Sequence, residues 1–526
     1  MAKDEPSLIR ALQDPSLYPH PVSGFDVIET HISWVLLTGT HAYKIKKPVD
    51  LGFLDFTTLE RRRHFCEEEL RLNRRLAPEL YLGLVCIRGS ARSPRLDGSG
   101  PVLEYAVKMR QFDPAGQFDR LLAADRLRIE LIEGLAKVLA RFHEQAGRAQ
   151  EDDAFGDAES IIGPARDNFA AIALPPALVS ERRQLEWLAE CTENDWARLA
   201  PVCARRKSSG RVRECHGDLH LANVTVHEGK AVPFDCLEFD PALRWIDVMS
   251  EIAFLAMDLD AHGRSDLTYR LLNEYLHRTG DYEGMELLGF YQMYRAMVRA
   301  KIESIRARQR DEVSAEGCRE VLKYMALAGT YARRRLGAVV IAHGLSGSGK
   351  TTLSRDLLAP CRLIRIRSDV ERKRLAGYAP EARTDSAIDS GIYTAQASER
   401  TYLRLAELAE IMVMAGFNVL VDATFLRRAQ RETFRDLATR LHAPFVILHF
   451  NAAEETLRER IRQRAVSSMD ASEADIEVLA RQIATQEPLT SDERCATVWI
   501  DTSGAPDTAA IATELQRRVA EPELRK

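Results

Sequence analysis

The spacing of apolar residues divides the chain into two regions of different type. In the C-terminal region, short apolar runs alternate with helical sequence, at residues 338–342, 362–367, 418–421, 445–449 and 497–500. Parallel strands need crossover connections, which are usually helices. The alternation therefore predicts an α/β domain with a parallel sheet and helices on both faces.

The N-terminal region has a different pattern. Residues 26–110 are β-rich around one predicted helix over 57–76, and residues 124–335 are mainly helical. Period-two alternation over 102–109 predicts a strand with one shared face, formed by Leu103, Tyr105, Val107 and Met109. A small mixed lobe followed by a larger helical lobe is an α+β arrangement.

These patterns set the expected domain limits. We predict an N-terminal extension over 1–25, a two-lobed α+β domain over 26–330 and an α/β domain over 337–526. The boundary is expected near 330–337, where the composition changes. A chain of 526 residues is long enough for two or more cores.

Charge and cysteine content narrow the class of protein. The formal net charge is -5 and neither region has a basic excess, which disfavours a general nucleic-acid binder. The nine cysteines form no C-x-x-C pair, a pattern typical of reduced thiols rather than of a disulfide framework or zinc site. No apolar run has the ~20 residues that span a bilayer, and the first residues lack a signal-peptide pattern. We expect a cytoplasmic protein without a membrane partner.

One Gly-rich segment follows the first apolar run of the C-terminal region. It has the P-loop spacing, with a strand before it and a helix after it: Gly344, Leu345, Ser346, Gly347, Ser348, Gly349, Lys350, Thr351 and Thr352. Its backbone amides are expected to hold the phosphates of ATP, with Lys350 at the β- and γ-phosphates. The Thr351 hydroxyl is expected to bind Mg2+.

Two acids are expected beside this loop, because ligands collect at the carboxyl ends of parallel strands. Asp369 follows the second apolar run and could take the proton of an acceptor hydroxyl. Asp422 follows the third and could bind Mg2+ or its water; helix capping is the alternative for both. Arg460 and Arg464 share a helix face and could close over the transferred phosphate, or could pair with nearby glutamates.

Together these segments resemble the small P-loop kinases, a group that includes gluconate-kinase-like, zeta-toxin-like and polynucleotide-kinase-like enzymes. The resemblance covers roughly 338–505 and implies a P-loop NTPase fold that uses ATP. Ala423 follows Asp422, where motor ATPases usually have a glutamate that activates water. Its absence favours transfer to an acceptor over hydrolysis.

A second phosphate-transfer motif lies near the middle of the chain. His216-Gly217-Asp218 is followed by Asn223 and then by Asp235. In a kinase catalytic loop this spacing makes Asp218 the proton acceptor of the attacking hydroxyl. Asn223 and Asp235 then supply oxygen ligands for Mg2+.

The motif resembles the aminoglycoside phosphotransferase and choline-kinase superfamily, over about 25–310. The resemblance implies a protein-kinase-like two-lobed fold and an adenine-binding hinge near 109–112. It also implies a lysine–glutamate pair, for which Lys44 is chosen over Lys46 and Glu69 over Glu67 and Glu68. Glu238 and Asp247 match further acids of that superfamily. The order of the two modules resembles a bacterial family described as bifunctional aminoglycoside phosphotransferase/ATP-binding proteins.

The N-terminal module departs from the kinase pattern at one point. No G-x-G-x-x-G is present, and only Leu37-Thr38-Gly39-Thr40 occupies its place. The leading hypothesis is an ATP- and Mg2+-dependent phosphotransferase with two sites that act on hydroxyl groups of small molecules. Two alternatives stay open: a P-loop kinase regulated by a nucleotide-sensing N-terminal module, and a nucleic-acid end kinase.

Overall fold

The computed structural model describes residues 6–52, 54–310, 314, 316–333, 335–382, 394–467 and 476–520, with side chains of the sixth segment described to residue 463. The chain forms two compact units. The first comprises Met1–Gly163 and Cys203–Asp258, and the second comprises Pro164–Val202 and Leu259–Lys526. The domain boundary near 330–337 stays a prediction.

The strands are β1 (Asp26–Glu29), β2 (Ser33–Leu37), β3 (His41–Lys46), β4 (Tyr81–Ser90), β5 (Ser93–Leu96), β6 (Val102–Arg110), β7 (Val212–Glu214), β8 (Val224–His227), β9 (Lys230–Pro233), β10 (Trp245–Asp247), β11 (Val339–His343), β12 (Leu363–Arg367), β13 (Asn418–Asp422), β14 (Phe445–Asn451) and β15 (Thr497–Asp501).

The helices are α1 (Ser7–Ala11), α2 (Leu59–Asn73), α3 (Phe118–Ala123), α4 (Ile129–Gln145), α5 (Ala158–Ala171), α6 (Val179–Ser208), α7 (Pro241–Arg244), α8 (Val248–Ala261), α9 (Ser265–Thr279), α10 (Met285–Gln309), α11 (Arg319–Ala332), α12 (Lys350–Leu358), α13 (Ser368–Leu375), α14 (Ala395–Met414), α15 (Arg428–Arg440), α16 (Glu454–Ser467), α17 (Ile476–Thr485), α18 (Ser491–Cys495) and α19 (Thr508–Ala520).

The first unit is built on a six-stranded antiparallel sheet in the order β1-β2-β3-β6-β4-β5. Helix α2 packs on one face of the sheet, where Cys66 and Leu70 meet Val107. On the other face, Ile9 and Leu12 from the first 25 residues join the buried cluster. The sheet therefore has apolar residues on both sides.

The strand predicted over 102–109 is present, but its face is not continuous. Tyr105, Val107 and Met109 pack with α2, whereas Leu103 packs in the opposite cluster. The register between β4 and β6 shifts between Ile87 and Arg88, opposite this point. An irregularity of this kind adds a residue to one strand, so the side chains before it point to the other face.

The second unit contains a parallel sheet in the order β12-β13-β11-β14-β15. Its strands lie within two residues of the predicted apolar runs. Helices α12 and α19 pack against one face, where Leu357 and Leu515 join Leu420 and Leu448 in a buried cluster. The predicted fold class is confirmed: a kinase-like N-terminal domain and a C-terminal P-loop domain with a parallel sheet.

Strand β12 lies at the edge of this sheet, and helix α9 of the same unit covers it. The Asn273 carboxamide donates to Leu363 O at 2.8 Å and accepts from Arg365 N at 2.7 Å. The Tyr282 hydroxyl donates to Arg365 O at 3.3 Å. Asn273 and Tyr282 thus satisfy three backbone groups that a neighbouring strand would otherwise pair with.

A search of the described helices for a membrane crossing found none with both the length and the apolarity required.

Candidate active sites

The catalytic-loop motif of the first unit begins with a tight backbone turn. Gly217 has φ 90°, and a Cβ at this position would lie 3.0 Å from Leu243 O. Both the left-handed conformation and the close backbone favour glycine. The turn sends the chain from β7 toward Asp218, with the His216 ring bonded to Phe234 O at 2.8 Å.

A buried carboxylate on α8 holds this turn in place. Glu251 Oε1 accepts from the amides of His216 at 2.5 Å and Gly217 at 3.0 Å. Its other oxygen, Oε2, lies 2.6 Å from His143 Nε2. Burial opposes ionisation, but His143 and the backbone amides outweigh it and lower the pKa of Glu251. The carboxylate therefore fixes two successive amides next to the predicted proton acceptor.

Asp218 and Asn223 are brought together by the loop. Asn223 Nδ2 donates to Asp218 O at 2.9 Å and to Asp218 Oδ2 at 3.2 Å. Both bonds use the amide nitrogen, so Asn223 Oδ1 can serve as a ligand atom. Asn223 O also accepts from Phe234 N at 2.9 Å, which joins the loop to the segment that carries Asp235.

Asp235 has an unusual backbone for a non-glycine residue, with φ 64°. Its amide donates to the Tyr81 hydroxyl at 3.1 Å, and its side chain is 43% exposed. Lys44 Nζ lies 2.6 Å from Asp235 Oδ1. The carboxylate of Asp235 and the amide oxygen of Asn223 are hard oxygen donors that fit Mg2+.

The two candidate lysines of β3 share one glutamate. Lys44 Nζ lies 2.9 Å from Glu69 Oε1, and Lys46 Nζ lies 2.7 Å from Glu69 Oε2. Lys46 also pairs with Glu238. Burial opposes the charge on Glu69, but Lys44 and Lys46 outweigh burial and lower its pKa. Of the two lysines, Lys44 is the one paired with Asp235.

The competing glutamates of α2 have other partners. Glu67 pairs with Arg63 at 2.9 Å, and Glu68 pairs with Arg71 at 2.9 Å. Glu69 alone of the three is fully buried, at 0% exposure. Glu69, the glutamate chosen from the sequence, is thus the one of the three that pairs with Lys44. A catalytic role for the Lys44–Glu69 pair stays a prediction.

The segment in place of a Gly-rich loop is the turn between β2 and β3. Gly39 has φ 93°, and its amide donates to Gln111 Oε1 at 2.9 Å. The Thr38 amide donates to the same oxygen at 3.1 Å. Gln111 lies in the predicted hinge, so one hinge side chain uses two amides of this turn.

In the second unit, three glycines shape the P-loop. Gly344, Gly347 and Gly349 have φ of 148°, 81° and 79°. A Cβ on Gly344 would lie 2.5 Å from Phe450 O, and one on Gly347 would lie 2.8 Å from Leu457 O. The loop then leads directly into α12, which begins at Lys350. A helix N-terminus in this place fits the phosphates of ATP.

The predicted ATP and Mg2+ ligands of the P-loop lie close together. Lys350 Nζ donates to Gly344 O and Leu345 O, both at 2.8 Å. The Thr351 hydroxyl donates to Asp422 Oδ2 at 3.1 Å, and Asp422 ends β13 as predicted. Hydroxyl and carboxylate oxygens in this arrangement fit Mg2+. Ser348 and Thr352 lie within the loop and α12.

Asp369 lies in the first turn of α13, two residues beyond β12, rather than at the strand end. Arg367 binds both of its oxygens, at 3.1 and 2.7 Å. Burial raises the pKa of Asp369, but Arg367 and the Val370 amide outweigh burial and lower it. Its carboxylate is therefore charged, and its role as a base stays a prediction.

The predicted arginine pair is described only in part. Arg460 donates to Thr502 O at 2.6 Å and to Gly347 O at 3.4 Å. Its guanidinium therefore contacts the backbone of the P-loop at Gly347. Arg464 lies in α16, but its side chain is outside the described residues.

Several residues at these sites were not found from the sequence. Glu251 and Arg367 lie outside any motif, and only their positions in the folded chain connect them to Asp218 and Asp369. Arg365 donates to Thr351 O at 3.0 Å and lies 3.8 Å from Asp422. The one available signal for Arg365 was its position, as a basic residue between Ile364 and Ile366.

Two stretches of the chain match known protein families. Residues 58–288 match the phosphotransferase enzyme family, and residues 339–489 match a family described as an AAA domain. The first stretch contains the Asp218 loop and the second contains the P-loop. Each family match therefore covers one of the two sites.

Curated relatives match nearly the whole chain. An uncharacterized protein of Mycobacterium bovis and one of Mycobacterium tuberculosis are each 30% identical to it over 488 residues. These alignments cover 92% of this chain and 94% of each relative. The chain belongs to the family of these mycobacterial proteins. This family member joins a phosphotransferase domain to a P-loop kinase domain, which confirms the resemblance stated from the motifs.

Solved structures also show similarity to the chain. A choline/ethanolamine kinase family protein from Mesorhizobium loti is 10% identical, with 62% of this chain and 98% of that chain covered and a TM-score of 0.35. A gluconokinase from Sinorhizobium meliloti is 21% identical, with 36% and 95% covered and a TM-score of 0.25. Within the family, the two domain matches support ATP-dependent phosphate transfer as the class of activity.

Proposed function

We propose that this protein is a phosphotransferase with two ATP and Mg2+ sites, each of which transfers the γ-phosphate to a hydroxyl group of a small molecule. One observation carries the proposal. Each unit places a lysine and a set of hard oxygen ligands together: Lys44, Asn223 and Asp235 in the first, and Lys350, Thr351 and Asp422 in the second.

In the first unit, Asp218 is proposed to accept the proton of the attacking hydroxyl. The hydroxyl oxygen forms a bond to the γ-phosphorus while the bond between that phosphorus and the ADP oxygen breaks. Lys44, held by Glu69, stabilises the phosphates electrostatically. Asn223 and Asp235 would hold Mg2+, which would neutralise charge on the phosphate oxygens. Because Asn223 bonds to Asp218, the proton acceptor and the metal ligand are fixed relative to each other.

In the second unit, the P-loop amides and Lys350 are proposed to bind the triphosphate. Thr351 and Asp422 would hold Mg2+, which would supply charge stabilisation for the phosphates. Asp369 is proposed as the proton acceptor. Its partner Arg367 lowers its basicity, so positioning and electrostatics contribute more than proton transfer.

Phosphorylation of a library of hydroxyl compounds tests this proposal. Wild type, Asp218→Ala, Lys350→Ala and the double variant are compared with radiolabelled ATP. Two active sites predict that each single variant loses a different product and that the double variant loses both. A library in which neither variant changes any product would contradict the proposal.

A second function is favoured by the turn at Thr38 and Gly39. Gln111 accepts from the Gly39 amide, and the Thr38 amide is shared between Gln111 and His41 O, so this turn has fewer donors for phosphate than a Gly-rich loop supplies. A nucleotide sensor that regulates the P-loop kinase needs binding but not fast turnover. In that case Asp218→Ala leaves every product intact and changes only the rate at which they form.

A further inference from the structure

The backbone of Asp235 is held by two buried side chains from other elements of the first unit. Asp235 has φ 64°, a left-handed conformation that few residues other than glycine adopt. Its own amide donates to the Tyr81 hydroxyl at 3.1 Å. The next amide, Cys236 N, donates to Asn73 Oδ1 at 2.8 Å. The two peptide units that flank the Asp235 side chain therefore each have a fixed acceptor.

The fold fixes the position of both acceptors. Asn73 is the last residue of α2 and is fully buried. Its Nδ2 donates to Glu69 O at 2.8 Å, one helical turn earlier. Tyr81 begins β4 and is buried in the apolar cluster that contains Val107. Each acceptor is thus held by its own packing rather than by its bond to the segment that carries Asp235.

Asn73 also connects the two carboxylates that contact Lys44. Lys44 Nζ lies 2.9 Å from Glu69 Oε1 and 2.6 Å from Asp235 Oδ1. The Asn73 carboxamide bonds to the backbone of Glu69 with its nitrogen and to the amide of Cys236 with its oxygen. These contacts form a closed ring, so a displacement of Asp235 would also displace Asn73 or Lys44.

A cation site needs its ligands held in one arrangement. Asn223 is fixed by its bonds to Asp218 within the catalytic loop. Asp235 lies on a different segment, and its side chain is 43% exposed, so its own packing does not fix it. Outer hydrogen bonds that orient a metal ligand typically strengthen metal binding about 10–100-fold. The bonds to the two flanking amides of Asp235 are of this outer kind.

We propose that Asn73 and Tyr81 are positioning residues for Mg2+ binding in the first unit. They hold the backbone of Asp235 in its left-handed conformation, in which the carboxylate lies beside Lys44. Both side chains act through Asp235 and contribute no ligand atom of their own. This inference rests on the proposed ATP and Mg2+ site of the first unit.

The test measures Mg2+ binding in the first unit alone, because the P-loop is proposed to bind nucleotide as well. Hydrogen exchange of the full chain is followed at a fixed concentration of a non-hydrolysable ATP analogue while the Mg2+ concentration is varied. Protection of residues 216–237 reports the first unit, and protection of residues 344–352 reports the P-loop. Each segment gives its own Mg2+ concentration for half-maximal protection.

Two variants remove one acceptor each. Asn73→Ala removes the acceptor of Cys236 N, and Tyr81→Phe removes the acceptor of Asp235 N with little change in volume. Arg63→Ala is the matched control on α2, because its ion pair lies at the surface. Asp235→Ala removes the proposed ligand itself and shows how far the Mg2+ dependence can be lost.

Both variants are expected to weaken Mg2+ binding in the first unit only. Asn73→Ala raises the Mg2+ concentration for half-maximal protection of 216–237 about tenfold. Tyr81→Phe raises it about three- to tenfold, as expected for the loss of one hydrogen bond. The value for 344–352 stays at that of wild type, and Arg63→Ala changes neither value. A role in stability alone would speed exchange in the unit without changing the Mg2+ concentration required.

Unchanged Mg2+ requirements in Asn73→Ala and Tyr81→Phe, with that of Asp235→Ala raised, would overturn the inference and leave the proposed site intact. Equal shifts at 216–237 and 344–352 would also overturn it, because the effect would then not be local. If Asn73→Ala does not fold, Tyr81→Phe alone decides the outcome. A wild-type protein in which the analogue and Mg2+ never protect 216–237 would instead contradict the proposed ATP site itself.

Discussion

Lys44 Nζ lies 2.6 Å from Asp235 Oδ1, although 191 residues separate the two in sequence. The same ammonium lies 2.9 Å from Glu69. Lys46, two residues along the strand, contacts Glu69 and Glu238 and is not paired with Asp235. Both lysines are buried, but Lys44 pairs with Glu69 and Asp235, whereas Lys46 pairs with Glu69 and Glu238.

This difference predicts separate effects of replacing each lysine. Lys44→Met removes the cation beside the proposed phosphate site, so the first unit's transfer rate is expected to fall about 100-fold or more. Lys46→Met leaves buried Glu238 without its lysine and is expected to lower the free energy of unfolding by about 3–5 kcal/mol. Product formation and urea unfolding of both variants measure the two effects. The assignment is wrong if Lys46→Met abolishes transfer at wild-type stability while Lys44→Met is active.

Glu251 is predicted to stabilise the catalytic loop through two amides. Glu251→Ala leaves the buried amides of His216 and Gly217 without an acceptor, which is expected to cost about 2–4 kcal/mol of unfolding free energy. Denaturant unfolding measures the loss. Glu144→Ala, at an exposed position on α4, serves as the control and is expected to remain within about 0.5 kcal/mol of wild type. An equal effect of both variants would contradict the role given to Glu251.

Glu214, which ends β7 before the catalytic loop, predicts a dependence of stability on pH. Burial opposes its charge, but Arg71, Arg75 and Arg244 outweigh burial and lower its pKa from 4.5 to about 2. A depressed pKa contributes stability that is present above the unfolded value and is lost as pH falls from about 4.5 toward 2. Glu214 is buried, so this contribution is expected to reach at most about 3 kcal/mol.

Glu214→Gln tests the pH dependence. The difference in unfolding free energy between wild type and the variant is expected to be constant near neutrality and to shrink steadily below pH 4.5. Denaturant unfolding at pH 7, 5, 4 and 3 measures it. A difference that does not change over this range would show that the charge of Glu214 contributes nothing.

The Thr351 hydroxyl is predicted to be necessary for Mg2+ use in the second unit. Thr351→Val keeps the shape of the side chain and removes the oxygen, so transfer that depends on Lys350 is expected to fall about 100-fold. Thr351→Ser retains the oxygen and should stay within a few-fold of wild type. Rates across a Mg2+ titration distinguish the two variants, and equal rates would remove Thr351 from the metal site.

Asn273 is predicted to stabilise the edge of the parallel sheet. Asn273→Ala breaks both bonds to β12 and is expected to cost about 1–3 kcal/mol of unfolding free energy. Asn273→Asp can still accept from Arg365 N but cannot donate to Leu363 O, so it separates the two bonds. Thermal unfolding and hydrogen exchange of β12 measure the result. Unchanged exchange in both variants would show that the edge is stable without the carboxamide.

The sequence alone predicted the parts of the candidate sites that are built from residues close together in the chain. The P-loop and the Asp218–Asn223 segment are short motifs, and their backbone geometry follows from glycine positions and local hydrogen bonds. The parallel strands were also predicted, because a strand buried on both faces is an apolar run.

Contacts between distant residues could not be predicted in this way. Lys44 and Lys46 lie on one face of one strand, so periodicity cannot distinguish them, and their partners come from α2 and from Asp235. Glu251 lies 35 residues after His216 in the sequence, and no spacing rule links the two positions. The prediction for Leu103 failed because β6 has one extra residue opposite Ile87 and Arg88 of β4, and its apolar alternation does not reveal that irregularity.

The hydrogen bonds between Asn273 and β12 affect where the chain can be cut into separate fragments. A cut at residue 337 would release a P-loop fragment that lacks α9, and its first edge strand would be open to self-association. Expression of residues 337–526 alone is therefore expected to favour aggregation through this edge.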